Sequence, residues 1–549
     1  MTNTTDPPRA GLPREKPAQN RPPSDAAGIA EIARGSTLNL GGAAVSAVAT
    51  LGVTVLVARA FSRPAAGAFF TATSLFLIVE MVAGLGAYNG LVYFIPRLRA
   101  SGDEHRTSEM LRKAILPVIV TSVAGAALLL AFAEPLARAM LAGHQSTGAS
   151  PATVANALRA LAAALPFAVL LDTLLGATRG YRDMRPTVAL DRICRSVLQL
   201  LAVVVAALLG AAALLAPLWA LAYIPPAAVA WIWLRRIRRR ARANTGPHRR
   251  GPAGSDAGPR RFWLFTLPRA LALGAQQVIQ RLDIVLVAIM RGPVDAAIYT
   301  AATRFLVVGQ LGNQAISMAA QPQLSRQFGL SDRVGAGTVY KTTTAWLVLL
   351  TWPLYLLAIS FGPVVLSIFG HSYHGGSDVI IVLGAAALLA SACGQVDVVL
   401  TSTGRSALSL ANGLTALGVN VGVDLILIPR YGIIGAAIGW AAAIVAANLI
   451  PLAQLAWIVR IHPFGRATIT ACALTAVSFG VIPFLVRVLL GDGVAAQILA
   501  VAAGCAALGV GLWRGRNRLQ LSMIPRPRIP RGGFAPRGLR KSDGQPEIT

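Results

Sequence analysis

From residue 37 to residue 513 the chain is built of apolar runs of about 20 residues separated by short polar loops. A run of that length crosses a hydrocarbon core as a helix, with every backbone polar group satisfied internally. About fourteen such spans can be drawn, including 66–95, 194–212, 215–234, 262–290, 295–320 and 375–403. The expected fold class is therefore an all-α polytopic membrane protein. Composition agrees: 13% of the 549 residues are charged and 55% are hydrophobic, whereas a soluble domain needs about 25% charged residues to face water. The fifth and sixth spans form one apolar stretch interrupted by Gly210 and Pro217, and Pro225-Pro226 is expected to kink its second half.

A formal net charge of +28 would suit nucleic acid if it formed a patch on a soluble domain. Here the charge lies between the spans, which points to the cytoplasmic face and anionic membrane lipids and excludes a nucleic-acid partner. Arginines crowd alternate loops: Arg97, Arg99, Arg106 and Arg112; Arg182 and Arg185; then RRIRRRARANTGPHRRGPAGSDAGPRR from Arg235 to Arg261. The loops between them hold few, such as Arg63, Arg138, Arg291 and Arg430. The bias places both termini in the cytoplasm and His371 outside.

The expected organisation is a disordered tail over 1–34, a six-helix half over 35–234, a basic linker over 235–261, a second six-helix half over 262–460, two additional helices over 461–513 and a basic disordered tail over 514–549. The two halves carry a repeat. VLVARAFSRPAAGAFFTATSLF from Val55 and VLVAIMRGPVDAAIYTAATRFL from Val285 align at a constant offset of 230, matching Ala66 with Ala296, Ala72 with Ala302, Thr73 with Thr303 and, in kind, Phe69 with Tyr299. Each copy joins an odd-numbered span to the next, so the halves enter the membrane in the same direction: a parallel repeat. That arrangement suggests a transporter.

Four stretches now carry a resemblance: GSTLNLGGAAVSAVATLGVTVLVARAFSRPAAGAFF from Gly35, GLVYFIPRLR from Gly90, RLDIVLVAIMRGPVDAAIYTAATRFL from Arg281 and LILIPRYGIIGAAIGWAAA from Leu425. In order and spacing the chain resembles the multidrug/oligosaccharidyl-lipid/polysaccharide (MOP) exporter superfamily, and within it the Wzx-type polysaccharide flippases. The resemblance implies a MATE-like fold of two parallel six-helix halves with the substrate cavity between them. The two extra helices keep open the lipid II flippases of the MurJ type. The implied function is translocation of an undecaprenyl-diphosphate-linked oligosaccharide from the inner to the outer leaflet of the bacterial plasma membrane by alternating access. Its alternatives are lipid II flipping and cation-coupled multidrug export. A polysaccharide polymerase or glycosyltransferases would be its partners.

Ionisable groups within spans are the informative residues, because each costs on the order of 2.5–3.5 kcal/mol at mid-bilayer. The seventh span carries Arg269, Gln276, Gln277, Gln280, Arg281 and Asp283 at helical spacing, and the eighth carries Arg304, Gln310, Gln314 and Gln321. We expect Arg269, Gln276, Gln277, Gln280, Arg281, Arg304, Gln310 and Gln314 to bind substrate, the arginines meeting the diphosphate and the glutamines the sugar hydroxyls. Asp283, Glu80 and Asp172 are the candidates for coupling to H+ or Na+. The competing reading pairs Arg281 or Arg304 with Asp283 as a scaffold ion pair. Arg59, near the outside end of the first span, is expected to snorkel, and Gly432, Gly435 and Gly439 to pack helices closely.

No enzyme is expected. There is no GxxxxGK[ST], no HExxH and no Ser-His-Asp order, and the outside loops are short. Cys194, Cys393, Cys472 and Cys505 lie far apart in apolar stretches and read as buried, inert thiols. No metal or cofactor is expected; His371 and His374 lack a third ligand nearby.

Overall fold

The structure, a computed structural model, describes residues 24–100, 104–141, 150–243, 259–491 and 493–515. The expected tails (residues 1–23 and 516–549) and the middle of the basic linker (244–258) lie outside the described residues. Every regular element among the described residues is helical. The first half comprises α1 (Ser24–Ala60), α2 (Arg63–Ala83), α3 (Ala87–Ala100), α4 (Glu104–Leu141), α5 (Pro151–Gly180), a π-helical segment (Thr187–Arg195), α6 (Ser196–Leu208), α7 (Ala212–Leu221) and α8 (Ile224–Ala243). The second comprises α9 (Pro259–Arg291), α10 (Pro293–Ala302), α11 (Arg304–Gly329), α12 (Arg333–Ser360), α13 (Gly362–Ser367), a 3₁₀ turn (His371–Gly376), α14 (Ser377–Cys393), α15 (Val396–Ser402), α16 (Ser406–Tyr431) and α17 (Ile433–Ile458). Beyond them come α18 (Arg466–Thr475), α19 (Ile482–Leu490) and α20 (Val494–Gly515).

Among the described residues, eleven helical stretches are long and apolar enough to cross a membrane. Three more of comparable length, 187–208, 259–291 and 293–329, are set apart by polarity rather than length: they hold Asp191, Arg192 and Arg195; Arg281 and Asp283; and Arg304 with five glutamines. The breaks correct several expected boundaries. The span expected over 66–95 turns at Leu85 and Gly86, with φ of 47° and 66°, and a helix cannot propagate through left-handed residues. The fifth and sixth spans part at Gly210, φ 62°. The kink expected at Pro225-Pro226 is a break just before them, since the prolines sit in the first turn of α8, where no helical N–H bond is forfeited. The eighth span breaks at Thr303 and the tenth at Gly394, φ 71°. Helix also runs further than expected: α1 starts at Ser24 inside the expected tail, and α8 continues to Ala243 inside the expected linker. Both extensions are rich in Ala with Glu or Arg, all strong helix formers.

The repeated segments take equivalent positions. The turns at Ser62 and Gly292 stand 230 residues apart, and α2 packs against α10. Alanines make this contact close; a Cβ on Gly67 would fall 1.7 Å from the Pro293 carbonyl oxygen, so only glycine fits. The IPRYGI stretch forms the expected turn between α16 and α17, with Gly432 at φ 60°. These two helices are joined by a reciprocal amide pair, Asn412 and Gln454, at 2.8 and 2.9 Å. In a membrane such polar contacts and small residues hold helices together where apolar burial cannot. The additional helices α18–α20 join the second half at α12, where Ala345, Val348 and Ala471 form a small apolar cluster with Trp352 and Leu512 around it.

Candidate functional site: a charged cavity and a dry acid pair

A cavity of about 370 Å³ opens among α2, α3, α5, the π-helical segment and α9. Each wall contributes a polar side chain: Glu80 from α2, Tyr88 and Asn89 from α3, Asp172 from α5, Asp191 and Arg195 from the π-helical segment, Gln277 and Arg281 from α9, with Tyr223 between α7 and α8. Four sequence candidates thus meet here: Glu80, Asp172, Gln277 and Arg281. Arg195 is committed locally. It donates to Asp191 Oδ1 from Nη2 at 2.7 Å and from Nε at 2.8 Å, and to Gln199 Oε1 at 3.1 Å, with its guanidinium 5.3 Å over the Tyr223 ring. Glu80, Asp172 and Arg281 make no side-chain hydrogen bond or ion pair among the described residues.

The remaining candidates disperse. Arg304, outside the cavity lining, donates Nε to the Thr300 carbonyl at 3.0 Å and lies within electrostatic range of Arg281, so the like charges of α9 and α11 repel. Gln280 is half-buried on α9 outside the cavity lining. Gln310 and Gln314 also lie outside it, on α11 beyond the Thr303 break. That break removes the continuous register which put them on one face with Arg304. The side chains of Arg269 and Gln276 lie outside the described residues.

Asp283 occupies a second, separate site. It is 1% exposed and accepts from the Tyr299 hydroxyl at 2.8 Å. Its carboxyl abuts that of Asp424, fully buried on α16, which in turn accepts from Asn420 Nδ2 at 3.1 Å. The room for Asp424 comes from Gly439 on α17, where a Cβ would stand 1.8 Å from Asp424 Oδ1. Asp283 Oδ1, Asp424 Oδ1 and Asn420 Oδ1 are all buried with no donor. Two adjacent carboxyls in such a place need a shared proton or a small hard cation between them. The alternative pairing of Asp283 with Arg281 or Arg304 is not found; its partners are Tyr299 and Asp424. Among the described residues no group of three His, Cys, Asp or Glu side chains could hold a metal.

Sequence reasoning missed Asp191, Arg195, Tyr88, Asn89 and Tyr223. Drawing the fifth span from residue 194 put Asp191 in a loop. The available signal was the i, i+4 spacing of Asp191 and Arg195, which lets one helix neutralise its own charge. A π-helical segment at this place also fits the general occurrence of such segments at functional sites.

At the end of the bundle that carries the Ser62 and Gly292 turns, the halves are latched together. Arg59 donates Nε to the Ile368 carbonyl at 2.6 Å and Nη2 to the Ser367 carbonyl at 3.0 Å, at the end of α13. Tyr373 Oη reaches the Ala58 carbonyl at 3.4 Å, and Arg63 Nη1 the Ser372 carbonyl at 3.4 Å. Arg59 therefore holds the other half rather than snorkelling. The four cysteines are free; Cys393 is buried but Cys505, expected to be buried, is exposed on the peripheral α20.

The polysaccharide biosynthesis protein family matches residues 32–328, just over half of the chain. The chain belongs to that family. The MatE family also matches, over residues 268–426. No curated protein matches the sequence. Among solved structures, the lipid II flippase MurJ in an inward closed conformation is similar at a TM-score of 0.69 and 14% identity, covering 86% of this chain and 98% of MurJ. The inward-facing form of a multidrug resistance MATE family transporter of the MOP superfamily is similar at 0.60 and 16% identity, covering 76% and 94%. A MOP superfamily transporter from Pyrococcus furiosus, described as having a binding pocket of reverse polarity, is similar at 0.51 and 16% identity, covering 82% and 95%. The chain is thus a multi-pass membrane protein with the MOP fold, and the solved structures it resembles are those of transporters and a flippase.

Proposed function

We propose that the transporter flips an undecaprenyl-diphosphate-linked oligosaccharide from the inner to the outer leaflet by alternating access. The observation that carries this reading is Arg281, which lines the cavity without an ion-pair partner among the described residues, with the likewise unpaired Arg304 within electrostatic range of it. Like charges so placed repel, and a diphosphate between them would turn that repulsion into charge-assisted hydrogen bonds. The loop charges put the basic end in the cytoplasm, so the Arg59 latch closes the outer end and the head group would enter from within. Family membership supports a glycan substrate. Coupling to H+ or Na+ is assigned first to Asp283, acting with Asp424, and then to Glu80 and Asp172 in the cavity. Moving one charge across 100 mV supplies about 2.3 kcal/mol.

Arg281→Ala and Arg304→Ala should each lower glycolipid transport per inserted protein by tenfold or more, since losing a charge-assisted contact costs about 1.5–3 kcal/mol. Lysine at either position should recover part of it. Transport near the wild-type level in both alanine variants would sink the reading. One observation favours a second: Glu80 and Asp172 beside Tyr88 and Tyr223 make a lining suited to an organic cation. On that reading the arginine variants keep exporting a fluorescent organic cation, and Glu80→Gln loses it.

A further inference from the structure

We infer that the translocated head group is zwitterionic: Glu80 and Asp172 hold a primary ammonium on its first sugar, beside the diphosphate that Arg281 meets. The charges of the cavity lining point to this. Its charged residues are Glu80, Asp172, Asp191, Arg195 and Arg281. Arg195 and Asp191 neutralise one another, with Nη2 to Oδ1 at 2.7 Å. That leaves two acids against one arginine, and Arg304 lies outside the lining. A head group carrying only negative charge would set its phosphates beside two unopposed carboxylates, which repel it. A cationic group on the same molecule turns those carboxylates into its recognition elements.

Neither acid is used by the protein. Glu80 is 9% exposed, Asp172 is exposed and lines the cavity, and neither makes a side-chain hydrogen bond or ion pair among the described residues. Charged groups withdrawn from bulk water normally find a partner. A second, independent group is unmet as well. Tyr223 is 2% exposed and lines the cavity, and its ring is packed against Phe76, Trp219 and Arg195. Its hydroxyl has no hydrogen-bond partner among the described residues. An ammonium donates three hydrogen bonds. Glu80 on α2, Asp172 on α5 and Tyr223 between α7 and α8 supply three acceptors from three walls. The volume says which sugar carries the amine. The cavity's 370 Å³ lies at the small end of ligand pockets, about 300–1,000 Å³, and admits a diphosphate with the sugar attached to it rather than a longer glycan. Ion coupling then stays with Asp283 and Asp424, outside this cavity. The amine of a resident aminophospholipid shares the ammonium chemistry without an isoprenoid diphosphate attached.

The inference rests on the flippase reading, and the test separates the two. Full-length protein in phosphatidylcholine nanodiscs is titrated with farnesyl-diphosphate-linked glucosamine and with its N-acetyl counterpart, which lacks the positive charge. The wild type should bind the amine about tenfold more tightly or better, the gain of a charge-assisted contact. Glu80→Gln with Asp172→Asn should bring the two dissociation constants within about threefold of each other. Arg281→Gln should weaken both probes and keep their ratio. Equal wild-type affinities overturn the inference whether or not the double variant folds. If Arg281→Gln still weakens both probes in that case, the proposed function survives. A preference that persists in the folded double variant places the ammonium elsewhere and overturns the assignment. Equal loss of both probes in that variant marks the acids as scaffold and overturns it too. Repeating the titration in phosphatidylethanolamine nanodiscs distinguishes the two amines. An unchanged ratio there supports the cargo, and erasure of the preference names the membrane lipid as the source and overturns the assignment to the head group.

Discussion

The two halves of this protein share a repeat yet hold their charges in opposite ways. At the 230-residue offset, the first half has Val53 and Phe69 where the second has Asp283 and Tyr299, and Leu51 and Ser74 where it has Arg281 and Arg304. Conversely, Glu80 of the first half corresponds to Gln310 of the second. The repeated features are scaffold: the alanine rows, the turns at Ser62 and Gly292, and the close approach of α2 to α10. The ionisable residues stand in one copy or the other, not in both. The second half keeps its acids dry and hydrogen-bonded to neighbours, whereas the first exposes them to a cavity. The two halves thus share a scaffold, and their ionisable chemistry lies in what makes them unequal.

Moving the dry pair into the other half should give the largest effect. Val53→Asp buries a carboxylate in the apolar core with neither donor nor cation beside it, and such a group costs on the order of 3–5 kcal/mol. Folded protein recovered from membranes should fall several-fold. Adding Phe69→Tyr supplies the hydroxyl that Tyr299 gives Asp283 and should recover part of that loss. Equal recovery of the single variant and the wild type would show that Val53 is not confined as its burial indicates. An unimproved double variant would mean that the copies differ in backbone, not only in side chains.

An intermediate effect is expected where the dry pair is native. Tyr299→Phe removes a hydrogen bond to a carboxyl, about 1.5–3 kcal/mol, and should lower the unfolding temperature of the purified protein by several degrees. Asp283→Asn with Asp424→Asn keeps the shape but removes the need for a proton or cation. That variant should remain folded, and its transport should no longer respond to steps in Na+ or pH. A response like that of the wild type would move coupling to Glu80 and Asp172.

Much of this was legible in the sequence because it follows from period and composition. The spans, the turn at Gly432, the repeat, and the choice of Glu80, Asp172, Gln277 and Arg281 as polar groups within spans all follow from where polar residues interrupt apolar runs. Helical spacing identifies a face, however, and not the neighbour it meets. Hence Arg281 and Asp283, two residues apart on α9, serve different sites, which the shared stripe concealed. Tyr88 and Tyr223 enter the cavity because α2–α3 and α7–α8 break beside them, and nothing in Leu85-Gly86 or Ala222-Tyr223 announces a break strongly. Asp191 and Arg195 were hidden by the rule that finds spans at all, since three charges within five residues disqualify a stretch from being apolar.

The smallest effect tests that limit directly. Glu80 and Gln310 are repeat equivalents, and by helical spacing both should face the cleft between the halves. Glu80 lines the cavity; Gln310, beyond the break at Thr303, does not. Gln310→Ala should therefore leave transport within about twofold of wild type, the range of a polar contact worth under about 0.5 kcal/mol away from the substrate. Gln310→Glu should do the same, because half-buried side chains outside a site tolerate conservative change. Glu80→Gln, chemically the same exchange in reverse, should slow transport by tenfold or more if a cavity carboxylate takes part in coupling. Transport assays on the three variants at matched membrane abundance make the comparison. A tenfold loss in Gln310→Ala would show that α11 reaches the substrate in another state of the cycle. The halves would then be functionally more alike than their side chains in this state.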